Sequence, residues 1–347
     1  MSFDPNKLSQ ANSGLFGLPY KPKEADLLIV PVPWDVTTSN GNGTAKSPDI
    51  FIEASKQIDL YHPDFPDFWK VKTALDPVHM EWNDLNKFYR KKAVEAIEMQ
   101  EAGVDPSDSK KLSGLLKEIN DQSEDLNDWV YETSKQQLDK GRLVGVLGGD
   151  HSCPLGLIKA LVEKHGQIGI IQIDAHADLR VAYEGFENSH ASIFYNVLKM
   201  DGVKHLLQVG VRDYCEEENT MVRDSSGRIK SYYDRDLKQS LFGGNTWDKL
   251  CSEMISGLPD KVYISFDIDG LEPSLCPSTG TPVPGGLTFP QAAYLIKKIA
   301  DSGRTIIGFD LCEVVGKEGT IDANIGSRIL FELCVQSARS NKLNINS

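Results

Sequence analysis

The sequence predicts an α/β protein built on a parallel sheet. From residue 143 onward, short apolar segments rich in β-branched residues alternate with longer segments of helical spacing, as βα units do. Each apolar segment ends abruptly in polar residues, so the reactive side chains collect where strands end. Because open α/β sheets bind ligands at the carboxyl ends of their strands, these side chains are expected to form one site.

Six strands and two long helices can be placed along the chain. Residues 1–25 are polar and rich in proline and glycine, which predicts a surface segment, and 61–84 cannot be assigned. A loop with Gly41 and Gly43 follows the first strand; it is long enough to reach over a site but is equally compatible with an ordinary connection, and a helix begins near Pro48. The strands are predicted at 26–33, 143–147, 168–173, 206–211, 262–266 and 305–309, and the helices at 86–102 and 109–140, within a largely helical insertion over 61–140.

The composition indicates which kinds of binding partner the protein lacks and which cell compartment it occupies. The 347 residues carry a net charge of −13, which argues against nucleic acid or an anionic membrane surface as a partner. The six cysteines lie far apart without a CxxC pair, and no signal pattern or membrane-length apolar run is visible. A protein of the reducing cytoplasm is expected.

The stretch 169–180, GIIQIDAHADLR, carries the strongest chemical signal. An apolar strand gives way to Asp174, His176 and Asp178, separated by small alanines. In extended chain these three side chains point to one side, and two carboxylates beside an imidazole would repel or desolvate one another without a cation between them. A divalent metal ion is the simplest explanation.

Similar residues follow two other strands. His151 follows the strand at 143–147, while Asp267 and Asp269 follow the strand at 262–266. Alone, they could be a loop histidine and helix-capping carboxylates. Together they complete a set of two histidines and four carboxylates at three neighbouring strand ends, large enough for two metal ions. Such a mixed set favours Mn²⁺, followed by Co²⁺, Ni²⁺, Fe²⁺ or Zn²⁺.

Four motifs resemble those of the ureohydrolase family of arginases, agmatinases and formimidoylglutamases. They are GGDHS at 148–152, DAHADLR at 174–180, NSHAS at 188–192 and SFDIDGLEPSLCPSTGTPVPGGL at 265–287. The resemblance implies a single three-layer α/β domain over 1–347, two Mn²⁺ ions per chain and a homo-oligomer, either a trimer or a hexamer. Residues 61–127 look unlike the common members.

The resemblance also implies a ligand set and a reaction. One metal would bind His151, Asp174, Asp178 and Asp267, and the other Asp174, His176, Asp267 and Asp269, so that Asp174 and Asp267 bridge. Two cations roughly 3.5–4 Å apart can lower the pKa of a shared water and direct it at a planar guanidinium carbon.

Three residues match the family's catalytic groups. Asp178 would orient the attacking water, His190 would carry a proton to the leaving amine, and Glu313 would orient the guanidinium. The alternatives for the last two are a surface-loop histidine and a structural acid.

Two residues bear on the substrate. Asp213 resembles the arginase aspartate that reads the α-amino group, whereas Arg180 departs from the asparagine of arginases and resembles formimidoylglutamases. Arg180 could pair with a carboxylate, which narrowly favours L-arginine, hydrolysed to ornithine and urea. Agmatine, hydrolysed to putrescine and urea, is the alternative and would leave Arg180 to pair with an acid such as Glu184 or Glu187.

Two further functions are weaker alternatives. Formimidoylglutamate is the third candidate substrate, because His190 and Asp213 suit guanidino compounds better. A metal-binding member without catalysis is the remote alternative, and the presence of all six ligand positions and His190 argues against it.

Overall fold

A single parallel sheet lies at the centre of the computed structural model, which describes residues 3–39, 41, 43–317 and 319–343. Its strands are β1 (Leu27–Val32), β2 (Thr73–Leu75), β3 (Leu143–Gly148), β4 (Ile168–Ile173), β5 (Val203–Val209), β6 (Ile229–Tyr232), β7 (Lys261–Asp267) and β8 (Thr305–Cys312). They run in the order β2-β1-β3-β8-β7-β4-β5-β6, and every neighbouring pair is parallel. The predicted α/β class with a central parallel sheet is confirmed.

Helices cover both faces of this sheet. They are α1 (Ser47–Ser55), α2 (Met80–Glu101), α3 (Lys110–Asp139), α4 (Leu155–His165), α5 (Ile193–Leu198), α6 (Glu216–Asp224), α7 (Asp234–Phe242), α8 (Trp247–Ser256), α9 (Phe289–Asp301) and α10 (Ile321–Ser340). One apolar cluster joins the sheet to α1, α8, α9 and α10, and a second joins it to α2, α3, α4 and α5. The fold therefore has three layers. No helix among the described residues has the length and apolar character needed to cross a membrane.

The strand predictions need corrections at β2, β5, β6 and β8; β5 spans Val203–Val209 instead of 206–211. Two edge strands, β2 and β6, were not predicted, because they are three and four residues long and carry little apolar pattern. β8 continues to Cys312 instead of ending at residue 309. The polar Asp310 looks like a strand end in sequence, but its side chain is fully buried within the sheet.

The helical insertion near 84–140 consists of α2 and α3. Both predicted helices are present, although α2 begins at Met80. The Ser109 hydroxyl accepts a hydrogen bond from the Leu112 backbone N–H at 3.3 Å, which satisfies one free donor at the start of α3. Leu112, Leu116 and Ile119 then form the buried stripe of that helix, as their spacing predicts.

The prediction of a surface segment over 1–25 is wrong for part of it. Leu15, Phe16 and Leu18 are buried in the core. Phe16 has a left-handed backbone with φ 57°, and its ring lies 5.1 Å from that of Phe331 in an edge-to-face contact. The turn residues around Phe16 bend the chain inward. A segment whose composition is typical of loops therefore contributes apolar side chains to the core.

Candidate metal centre and cleft

Four adjacent strands, β3, β8, β7 and β4, end at one edge of the sheet and deliver the polar cluster. The sequence predicted three neighbouring strands, but β8 lies between β3 and β7 and adds its own end to the site. His151 follows β3, Glu313 follows β8, Asp267 ends β7 with Asp269 in the turn behind it, and Asp174, His176 and Asp178 follow β4.

The first group of potential ligands surrounds His151. Its Nδ1 lies 3.0 Å from Asp174 Oδ2, 3.0 Å from Asp178 Oδ2 and 3.4 Å from Asp267 Oδ2. This nitrogen is buried and has no partner with hydrogen-bond geometry, although three carboxylate oxygens lie nearby. Oxygen and imidazole donors arranged in this way suit a divalent ion such as Mn²⁺.

The second group is formed around His176. Its Nδ1 lies 3.1 Å from Asp269 Oδ2 and 3.6 Å from Asp174 Oδ1. Asp174 thus turns one oxygen to each histidine and belongs to both groups. Asp267 lies with the first group, and its Oδ1 accepts a hydrogen bond from the Asp269 backbone N–H at 2.8 Å.

Electrostatics in this cluster favour a bound cation. Burial raises the pKa of Asp267 well above its usual range, and the charges of Asp269 and Asp174 raise it further. Burial and Asp174 raise the pKa of Asp178 to about 7. Burial opposes the charged form of His176, yet Asp269 and Asp174 raise its pKa to about 12. Buried carboxylates at this density need compensating positive charge, which two divalent ions would supply.

The backbone at the cluster is unusually constrained. Asp178 and Glu313 adopt left-handed conformations, with φ 54° and 62°, which non-glycine residues rarely adopt. A Cβ on Gly270, in the turn after β7, would lie 2.7 Å from the Asp174 backbone nitrogen. Only glycine lets this turn approach the end of β4 so closely.

Buried hydrogen bonds orient the two ligand residues nearest the centre. His151 Nε2 lies 2.9 Å from Ser265 Oγ, and Ser265 donates to Asp310 Oδ2 at 2.7 Å. Gln172 Nε2 donates to Asp174 Oδ2 at 2.8 Å. Such outer contacts fix the rotamer of a metal-binding side chain. Sequence alone gives these three supporting residues no role, because a serine, glutamine or aspartate inside a buried strand carries no chemical signal until its partner is known.

His190 lies in the deepest part of the cleft with the ligand residues. Burial, together with the charges of the nearby His176 and His151, lowers its pKa to about 4. Its Nδ1 is buried without a hydrogen-bond partner, and its ring lies edge-on to Tyr183 at 6.0 Å. The imidazole is therefore neutral at pH 7, with an unpaired nitrogen in the cleft.

Glu313 lines the same deep cavity. Its Oε1 accepts a hydrogen bond from the His151 backbone N–H at 2.9 Å. Burial raises its pKa well above the usual range, and the charge of Asp150 adds to this effect. A guanidinium cation beside Glu313 would favour its charged form.

Arg180 and Asp213 lie farther out, in a cavity of about 390 Å³ above the ligand cluster. The Arg180 guanidinium lies 5.1 Å from the Tyr183 ring centroid, and its Nε is 4.0 Å from Glu218 Oε2. The acid beside Arg180 is thus Glu218, instead of the expected Glu184 or Glu187. Asp213 is exposed at the rim, where its backbone pairs with that of His176.

The cleft walls also contain residues to which the sequence gave no chemical role. Thr38 and Ser39 line the deep cavity, so the loop after β1 does reach over the site. The run 280–283 forms another part of the rim. Tyr214 and Glu218 also line the outer cavity. Glu218 belongs to a run of three acids that the sequence places close to Asp213, whereas Tyr214 belongs to no motif.

Known proteins share the sequence pattern and fold of this chain. Residues 25–335 match the model of the Arginase family. The N(1)-aminopropylagmatine ureohydrolase of Thermus thermophilus is 28% identical, covering 85% of this chain and 84% of the relative. The agmatinase of Bacillus subtilis is 28% identical, covering 94% of this chain and 98% of the relative.

A solved structure extends the comparison of the fold. The formiminoglutamase of Trypanosoma cruzi, in a crystal structure with Mn²⁺, has a TM-score of 0.68 at 16% identity and covers 95% of this chain and 97% of its own. At that identity the match shows a shared fold alone.

Proposed function

Since this chain belongs to the arginase family of ureohydrolases, hydrolases that act on C–N bonds, we propose that it hydrolyses the guanidino group of a small linear amine. Agmatine is the favoured substrate, with urea and putrescine as products. The observation that carries this proposal is the pair of histidine–aspartate groups joined by Asp174 at the base of one cleft.

The metal centre would be held by His151, Asp174, Asp178 and Asp267 on one side and by Asp174, His176, Asp267 and Asp269 on the other. A bound pair of divalent ions, with Mn²⁺ the favoured metal, would supply Lewis acidity and a water of lowered pKa. The unpaired buried Nδ1 of His151 and the repulsion among the carboxylates support this assignment.

Three side chains would orient the substrate and the attacking water and transfer the proton. The Glu313 carboxylate would pair with the cationic guanidinium in the deep cavity, and Asp178 would accept a hydrogen bond from the attacking water. His190, which is neutral at pH 7, would accept a proton through its ring and pass it to the departing amine. The narrow cavity around these groups limits the access of bulk water.

The choice of agmatine revises the narrow preference for L-arginine. Both relatives described above are named for agmatine or an aminopropyl derivative of it. Arg180, whose expected role was to bind the α-carboxylate of arginine, lies beside Glu218 and Tyr183. An acidic outer cavity also suits an amine tail better than a carboxylate. Formimidoylglutamate remains third, since its support is a shared fold alone.

The family resemblance supports a proposal for the assembly of the protein, and the widely spaced cysteines support one for its location. We propose that the protein is a homo-oligomer, either a trimer or a hexamer, and that it is located in the cytoplasm. Sedimentation velocity on the purified protein tests the assembly, and a monomer across micromolar concentrations would contradict it.

A substrate panel tests the proposed reaction. Urea release would be measured with agmatine, N(1)-aminopropylagmatine and L-arginine, and formamide release with N-formimidoyl-L-glutamate, all with added Mn²⁺. We expect the highest kcat/KM for agmatine or its aminopropyl derivative, and little effect of Arg180→Ala on it. A clear preference for L-arginine that Arg180→Ala abolishes would restore the arginine reading.

A further inference from the structure

The helical insertion contacts both loops that wall the cleft. The first is the β1–α1 loop, between Val32 and Ser47, and the second is the β4–α5 loop, between Ile173 and Ile193. Neither α2 nor α3 contributes a residue to the two cavities that hold the ligand cluster and the rim. Their connection to the site is therefore indirect, through the loops.

Asn86 on α2 is paired with the start of the β1–α1 loop. Its Oδ1 accepts a hydrogen bond from the Asp35 backbone N–H at 2.8 Å, and its Nδ2 donates to Asp35 Oδ1 at 2.9 Å. The other oxygen of Asp35, Oδ2, accepts hydrogen bonds from the backbone N–H groups of Gly43 and Ala45 at 2.8 and 3.2 Å. Both Asn86 and Asp35 are buried, so the pairing is shielded from water.

Arg90, one helical turn further along α2, holds the middle of the same loop. Its Nη1 donates to the carbonyl oxygens of Val36 and Thr38 at 2.9 and 2.6 Å, and its Nη2 donates to that of Gly41 at 3.1 Å. One planar guanidinium thus fixes three carbonyl groups of a loop that has no regular secondary structure at those positions.

The β4–α5 loop is held in the same manner by both helices. Gln100 on α2 donates to the Glu184 carbonyl oxygen at 2.9 Å. Asn120 on α3 donates to the Gly185 carbonyl oxygen at 3.0 Å and accepts the Glu187 backbone N–H at 2.9 Å. These side chains thereby hold the turn that lies between Arg180 and His190.

We propose that α2 and α3 brace the two loops that wall the cleft, and that Arg90 and Asn120 are positioning residues which set its shape for the substrate. Arg90 acts through Thr38 and Ser39, and Asn120 acts through the turn that carries Tyr183 and His190. The kinetic part rests on the proposed function, because it needs a substrate that touches these walls.

Three variants and two matched controls test whether α2 and α3 hold the loops in place. Arg90→Met keeps an unbranched, flexible side chain but removes the guanidinium, while Lys91→Met changes an exposed lysine on the same helix. Asn120→Ala removes the amide, while Gln136→Ala changes an exposed amide on the same helix. Arg90→Lys keeps a donor without the planar fork, and should give an intermediate result.

The readouts are hydrogen exchange of the two loops, metal content, and KM and kcat for agmatine. For Arg90→Met we expect faster exchange within 33–46 and a KM raised about tenfold or more, with kcat within about threefold and metal content unchanged. Asn120→Ala should speed exchange around Glu184–Glu187 and lower kcat/KM. Both controls should behave as the wild type does.

Two results would contradict the proposal that α2 and α3 hold the loops in place. One is unchanged hydrogen exchange of the loops together with an unchanged KM in both Arg90→Met and Asn120→Ala. The other is a loss of activity that is explained by global unfolding or by loss of metal. The hydrogen-exchange measurement needs no substrate, so it tests whether the helices hold the loops even if the wild type hydrolyses no guanidino compound. Such inactivity would contradict the proposed function alone.

Discussion

At the scale of single residues, one carboxylate joins the two histidine groups. Asp174 turns Oδ2 toward His151 and Oδ1 toward His176. Both of its oxygens also accept hydrogen bonds, from Gln172 Nε2 at 2.8 Å and from the His176 backbone N–H at 2.7 Å. The side chain is thus held in one rotamer before any ion binds, which reduces the entropy lost on binding.

His190 gives the first prediction at this scale. His190→Ala should lower kcat by about 10²–10⁴-fold, because a general acid–base group contributes that much. Metal content should stay at the wild-type level, since the two ligand groups do not include this residue. Measurement of kcat at pH 7–9, together with elemental analysis, checks it. An unaltered kcat would assign the proton transfer to another group.

The sequence identified the residues that meet at the centre of the site, whose roles stay predictions, and missed the residues that support them. All six expected ligands, with His190 and Glu313, line one cavity or border it, because each follows a strand in a recognisable motif. Ser265 and Asp310 were missed because their partner His151 is more than 100 positions away in the chain. Such a pairing becomes visible only when the order of the strands is known.

At the scale of elements, the turn after β7 must pack tightly against the end of β4. Gly270→Ala would place a Cβ 2.7 Å from the Asp174 nitrogen and 2.9 Å from the Ile173 carbonyl carbon. Backbone must then shift, and we expect a loss of stability of about 1–3 kcal/mol, with weaker metal binding. Chemical denaturation and a metal titration would measure both, and unchanged values would contradict the tight contact.

Gly114→Ala is the matched control for that glycine substitution. Gly114 lies exposed in α3, and nothing lies within 4 Å of a Cβ placed there. Alanine should stabilise the helix by about 0.5–1 kcal/mol, because glycine loses more backbone entropy on folding. A destabilised Gly114→Ala protein would indicate that the helix is not formed as described.

His165, at the end of α4, gives a pH-dependent prediction. Burial, together with the charges of Lys261 and Lys164, lowers its pKa to about 4. Between its ordinary pKa and pH 4 the unfolded chain binds more protons at this residue than the folded protein does. Its contribution to stability is therefore present above about pH 6.5 and is lost as the pH falls toward 4.

The variant His165→Gln isolates this effect. Its free energy of unfolding should fall less steeply than that of the wild type between pH 6.5 and 4, and urea denaturation at several pH values would show the difference. Parallel curves for the two proteins would mean that His165 titrates alike in both states.

The exact ends of strands and helices depend on which residues are buried, and a single sequence does not show this. The predicted helices of the insertion were correct because their apolar residues recur at helical spacing over several turns. The edge strands β2 and β6 were missed because each is too short to show a pattern. The extension of β8 was missed because a buried aspartate reads as the beginning of a loop.

At the scale of the whole molecule, the parallel sheet explains why distant motifs meet. Strands β3, β8, β7 and β4 point the same way, so motifs near positions 150, 175, 268 and 313 converge at one edge. Helices on both faces bury the sheet, and the insertion contacts the two loops that wall the cleft. Part of the net charge of −13 comes from the acids of the site itself.

The metal stoichiometry of the purified chain tests the central claim most directly. Elemental analysis after loading with Mn²⁺ should give two ions per chain for the wild type. Asp174→Ala should keep its fold but lose metal, with an affinity lowered by more than the roughly 10–100-fold that loss of an outer contact costs. A wild type that binds no divalent ion, or an Asp174→Ala protein that retains two ions and normal turnover, would contradict the two-metal centre.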